Sequence, residues 1–162
     1  MVIGDIEPYP GFQVGELVRF IDALQARLKQ MHVRGLDFFR VDVDWNHFIQ
    51  HTQKGREGWR GVKRLEDECH KRRLPFSLIY WAADYGVLKR QNRLTDLSWD
   101  ASILQQGRWY ANVGGAPDQY VIESWISIPS HSVPETTRGT FTQSVLDFSN
   151  HFLSPGNHRR QE

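Results

Sequence analysis

The chain has 162 residues, 40% of them apolar, which is enough for one buried core. Its 20 basic and 19 acidic side chains leave a net charge of +1, which argues against a strongly basic nucleic-acid or anionic-membrane binder. Cys69 is the single cysteine, so no internal disulfide can form, and no apolar run approaches the roughly 20 residues of a membrane span.

The first strand is predicted from about Val2 to Glu7, with no basic segment before it to suggest a signal peptide. After the loop Tyr9-Pro10-Gly11, a helix is expected from about Gly15 to His32, with Leu17, Ile21, Leu24, Leu28 and Met31 on one stripe. A second strand covers about Leu36 to Asp44, and a polar loop leads to a helix from about Gly58 to Arg73. On that helix Cys69 falls on the apolar side, where it should be buried and inert. The cations Lys71, Arg72 and Arg73 suit the negative end of its dipole. Pro75 opens a third strand, Phe76 to Ala82. Ser98 is the expected cap of a helix ending near Gly114-Gly115. The fourth strand covers about Gln119 to Ile126, and Thr140 caps a last helix ending near Leu153. Residues 154–162 form a polar tail.

The strands are nearly continuous apolar runs, as expected for a parallel sheet covered by helices. The regular alternation of strand and helix predicts one α/β domain over residues 1–153, built of four strand-helix units. Side chains alternate along a strand. If Glu7 points to the centre, so does Asp5. In the second strand Phe39, Val41 and Val43 form an apolar set that should meet helices, which turns Arg40, Asp42 and Asp44 inward. In the fourth, Val121, Glu123 and Trp125 lie together. The expectation is five carboxylates facing one centre with Arg40 among them, near the strand ends where barrel active sites gather.

Glu7-Pro8 ends the first strand and Glu123 lies in the fourth, three strand positions later. In this the sequence resembles the glycoside hydrolase barrels of the large clan A superfamily. There an acid/base glutamate, often followed by proline, ends strand four, and a nucleophile glutamate ends strand seven. The resemblance implies strands four to seven of a TIM (β/α)8 barrel, that is, half a barrel. Ile6 stands where the family usually places asparagine. Glu7 would be the general acid and Glu123 the nucleophile of a retaining hydrolysis of O-glycosidic bonds, a reaction that needs no cofactor. Asp5, Asp42, Asp44 and Asp84 could bind sugar hydroxyls, and Tyr9, Trp45, Trp81 and Trp125, at or just after strand ends, could stack on sugar faces. Trp59, Trp99 and Trp109 lie in helical segments and are assigned to packing.

Two other readings stay open. Asp5, Glu7, Asp42, Asp44 and Glu123 could hold Mg²⁺ or Mn²⁺ in a metal-dependent isomerase or phosphodiesterase barrel. A degenerate barrel that binds glycans without turnover is the non-enzyme alternative. His47 and His51 lack a third zinc ligand at family spacing. Ser130-His131 alone does not make a triad. No Gly-rich phosphate loop is present. A complete barrel takes about 250 residues. Half of one would leave open sheet edges, so the expectation is a fragment of a longer barrel, with a chain that pairs with itself or a small open α/β sheet as the alternatives.

Overall fold

The computed structural model describes residues 2–44, 48, 57–81 and 85–153. These form an α/β fold with four strands, β1 (Gly4–Tyr9), β2 (Phe38–Val43), β3 (Phe76–Tyr80) and β4 (Gln119–Ile122). Among the described residues there are five helices: α1 (Val14–Gln30), α2 (Gly58–Lys71), α3 (Tyr85–Arg90), α4 (Asp96–Ala111) and α5 (Phe141–Phe152). The strands make one parallel sheet in the order β1-β2-β3-β4, so each strand pairs with the next in sequence. No helix among the described residues is long and apolar enough to cross a membrane.

By packing, the chain divides into two compact units. One comprises Met1–Ile79 with Tyr110–Val121, the other Tyr80–Trp109 with Ile122–Glu162.

The core of the first unit follows from β2 and β3. Phe39, Val41 and Val43 are fully buried, as the alternation of β2 requires, and every residue of β3 is buried. On α1 only Val14, Leu17 and Ile21 are buried. The stripe then runs off the sheet: Leu24 and Leu28 are half-buried and Met31 is exposed. On α2 the buried set is Gly61, Val62, Leu65, Glu66 and Cys69. Gly61 has to be glycine, because a Cβ there would meet the Tyr9 hydroxyl at 2.0 Å. The Arg72 fork ties the two helices together, with Nε 2.7 Å and a terminal nitrogen 3.0 Å from the two Asp22 carboxylate oxygens. Cys69 is fully buried, and desolvation pushes its thiol up to about 12, so it is inert as expected.

Glu66 is the one buried carboxyl on α2. It accepts the Tyr110 hydroxyl at 2.6 Å and the Ala116 N–H at 3.1 Å, and Lys63 lies 3.2 Å away. Two residues on, Asp118 donates its N–H to Phe76 O (2.9 Å) and accepts the Phe76 N–H on its carboxylate (2.7 Å). These bonds align the start of β4 on β3.

In the second unit, α5 begins at the predicted cap: Thr140 Oγ1 accepts the Gln143 N–H at 3.3 Å. The cap of α4 lies three residues before the expected Ser98. Thr95 Oγ1 accepts the Ser98 N–H (3.1 Å) and Ser98 Oγ accepts the Thr95 N–H (2.7 Å), a reciprocal box. Trp99 is buried against Phe141, with ring centroids 5.7 Å apart. β4 ends earlier than its apolar run suggests, because Ser124 Oγ turns back to Ile126 O at 3.2 Å.

Four helices end the same way. After α1, His32 N–H donates to Lys29 O (3.1 Å) and Val33 N–H to Leu28 O (2.9 Å), with His32 at φ 55°. Arg73 (φ 56°), Asn92 (φ 53°) and Gly114 (φ 79°) occupy the equivalent place after α2, α3 and α4. This is the Schellman closure, which prefers glycine at the left-handed position. A residue with a Cβ costs about 1 kcal/mol there. Arg73 is exposed and donates no side-chain hydrogen bond among the described residues. Arg73→Gly is therefore expected to stabilise the protein by about 1 kcal/mol in urea unfolding, and a loss of stability would refute this account of the helix end. Tyr110→Phe should cost about 1.5 kcal/mol by leaving the buried Glu66 short of a donor; an unchanged urea midpoint would show that Glu66 does not depend on that bond.

Candidate functional site

The pairing register decides which carboxyls can meet. Asp5 pairs with Phe39, Glu7 with Val41 and Tyr9 with Val43, whereas Ile6 pairs with Arg40 and Pro8 with Asp42. Paired residues on neighbouring parallel strands leave the sheet on the same side, because the pleats are in step. Asp5, Glu7 and Tyr9 therefore share the face of Phe39, Val41 and Val43. Arg40 and Asp42 lie on the other face, with Ile6. The expected convergence of Asp5 and Glu7 with Arg40 and Asp42 is corrected by this register. The physical reason is that β1 is an edge strand. Its apolar Ile6 is left 53% exposed, and its acids take the side of the apolar set of β2.

Asp5 and Glu7 do lie together, two residues apart on one face and both half-buried. Asp5 Oδ2 is buried with no hydrogen-bond partner among the described residues. Burial raises the Asp5 pKa, partly opposed by the Ile6 N–H. Burial also raises that of Glu7, and the charge of Asp5 pushes it further. Glu7 is two strand positions before the buried Tyr9, near the C-terminal end of β1. Tyr9 itself is a packing residue: its hydroxyl donates to Gly58 O at 3.4 Å and its ring lies edge-on to Phe48.

On the other face, Arg40 does not neutralise Asp5. Its Nε donates to Ser77 Oγ at 2.9 Å and its guanidinium lies 4.8 Å from the Phe38 ring centroid. Asp42 is half-buried there. Asp44, just past β2, donates its N–H to Tyr9 O and accepts the Phe48 N–H on its carbonyl.

In the second unit the structure brings two expected site residues together. Glu123 N–H donates to Tyr80 O at 3.2 Å, which sets Glu123 level with Trp81 at the C-terminal ends of β4 and β3. Between this bond and that of Asp118 to Phe76, β4 uses one residue more than β3, an irregularity of the bulge type. Glu123 is half-buried, with Oε1 enclosed. The Trp81 N–H donates to Oε1 of the buried Gln106 at 3.3 Å. Trp125 follows on the loop braced by Ser124 and is 64% exposed. Trp45, Asp84, His47 and His51 lie outside the described residues. The packing role of Trp59 and Trp99 holds: Trp59 sits between Phe48 and Tyr110, and Trp99 is fully buried.

Sequence reasoning missed Glu66 as a buried anchor, because its partners Tyr110 and Ala116 lie far along the chain. It also missed the surroundings of Ser130. The Ser130 hydroxyl lies 2.6 Å from Asp96 Oδ2 and 2.9 Å from His131 Nδ1, and the Ser130 N–H reaches Asp96 Oδ1 at 2.9 Å. The carboxylate touches the serine and not the histidine, so the order of contacts is not that of a catalytic triad. Among the described residues no three His, Cys, Asp or Glu side chains gather as a metal cage requires.

No family model, curated protein or solved structure matches this chain.

The raised carboxyls give a pH test. A group whose folded pKa lies above its unfolded value contributes stability that is complete below the unfolded pKa and is lost as pH rises through the folded one. Asp5 and Glu7 therefore destabilise the fold as they ionise. Asp5→Asn should gain on the parent as pH rises above 3.8, the ordinary value for this carboxyl. Urea midpoints at about pH 3 and about pH 7 check it, and a difference that stays constant between them would refute the burial argument.

Proposed function

We propose that this chain is a glycosidase-like segment, half of a (β/α)8 barrel, that hydrolyses O-glycosidic bonds with a pair of glutamates. The observation that carries the reading is the level placement of Glu123 and Trp81 at the C-terminal ends of β4 and β3. A glutamate level with a tryptophan on the neighbouring strand, at the strand ends where α/β enzymes bind ligands, suits attack on a sugar held by stacking. The sequential parallel order of the strands supports the barrel ancestry.

In this scheme Glu7 is the general acid. Burial and the charge of Asp5 raise its pKa, the direction that a general acid needs. Glu123 attacks the anomeric carbon, and water releases the sugar with Glu7 acting as base. The exposed Trp125 extends the sugar platform beyond Trp81. The register puts Glu7 on the face of Val41, whereas Asp42 leaves with Arg40 and Ser77 on the face that alternation along β3 gives to Trp81, so Asp42 is the competing candidate for the acid.

Activity on a panel of aryl glycosides tests the assignment. Glu7→Gln and Glu123→Gln should each lower kcat by about 100-fold or more. Turnover that survives both changes refutes the proposal. Loss in Asp42→Asn with retention in Glu7→Gln would move the acid to the other face and overturn the role of Glu7.

A further inference from the structure

An open cavity of about 640 Å³ lies at the C-terminal end of α1, lined by Gln25, Lys29, His32, Val33, Arg34 and Gly35. It sits before β2, at the end of the sheet away from Glu7, and is independent of the function proposed above. We propose that it binds a small soluble molecule carrying a phosphate group.

The lining is one of donors. Among the described residues no Asp or Glu borders the cavity. Gln25 Oε1 already accepts the Leu36 N–H at 3.0 Å, which leaves its Nε2 group to donate. Arg34 is steadied by an ion pair to Asp37 through one terminal nitrogen, so the rest of its fork is positioned for a further oxygen. Lys29 and His32 have no acidic partner among the described residues. A cavity that offers ammonium, guanidinium, imidazole and amide donors recognises an oxyanion.

The ordinary explanation for cations at a helix C-terminus is that they serve the exposed carbonyls and the dipole. Here that work is already done. Arg27 O, Leu28 O and Lys29 O accept the N–H groups of Met31, Val33 and His32. Moreover His32 occupies the left-handed position, at φ 55°, where glycine would close the helix at less cost. The imidazole is held at the rim at a conformational cost. The helix field opposes an anion at this end, so the Lys29 and Arg34 charges and the imidazole and amide donors must outweigh it. The cavity is larger than a bare phosphate needs and falls in the range of small-molecule sites, which points to a phosphate on an organic body.

The test is an NMR titration that follows the amides of Val33, Gly35 and Leu36 with inorganic phosphate and with phenyl phosphate. Saturable shifts are expected, with phenyl phosphate binding more tightly and a dissociation constant of about 1 mM or lower. Lys29→Met and His32→Asn should each weaken binding roughly tenfold, because each removes one charged or polar donor. Asparagine tolerates the left-handed position, and both side chains are exposed, so these variants should remain folded. Arg27→Met, outside the cavity, should leave binding unchanged. Shifts that never saturate, or that persist in the Lys29 and His32 variants, overturn the site. Sedimentation with phosphatidylserine vesicles, in the absence of phenyl phosphate binding, overturns the soluble-ligand assignment.

Discussion

Glu66 is the constraint on which the first unit turns. Taking a carboxyl out of water is costly unless its oxygens are met by donors. Here α2 carries the carboxyl inward, and Tyr110 and Ala116 meet it from the end of α4 and the segment before β4. Lys63, one helical turn away, adds the opposite charge. The result fixes segments about 50 positions apart in the chain at one point. Asp118 then sets β4 on β3 through both its N–H and its carboxylate. Without the Glu66 anchor, the approach to β4 would lose its fixed end.

Much of the architecture was readable from the residues. Phe39, Val41 and Val43 declared the buried side of β2, and the unbroken apolar run of β3 declared burial on both faces. Thr140 marked the start of α5. The boundaries moved where a polar side chain competes with the backbone. Ser124 stops β4 by turning back on its own loop, and Thr95 takes the cap that Ser98 was expected to hold. The short α3 gave too brief a pattern to be recognised.

The candidate site was legible within each strand but not between strands. Alternation correctly grouped Asp5 with Glu7, and Arg40 with Asp42. Which group faces which is set by register, and register comes from the pairing of whole strands. On a central strand the apolar set must be inside. On β1, at the edge, Ile6 can stay exposed at 53%, and the rule loses its force. Glu123 was reached by the same alternation, and the extra residue in β4 bears on its placement in a way no single-strand pattern reveals.

The helix ends carry a consequence for how this sequence can vary. His32, Arg73 and Asn92 all hold the mirror-image backbone conformation, yet none is glycine. Such positions filter substitutions by branching rather than by polarity. Asparagine, aspartate or glycine should be accepted at little cost, long unbranched chains at a moderate one, and valine, isoleucine or threonine rejected. A library randomised at these three codons would return a spectrum dictated by stereochemistry at Arg73 and Asn92. At His32 it would be narrowed further wherever the cavity beside it is in use.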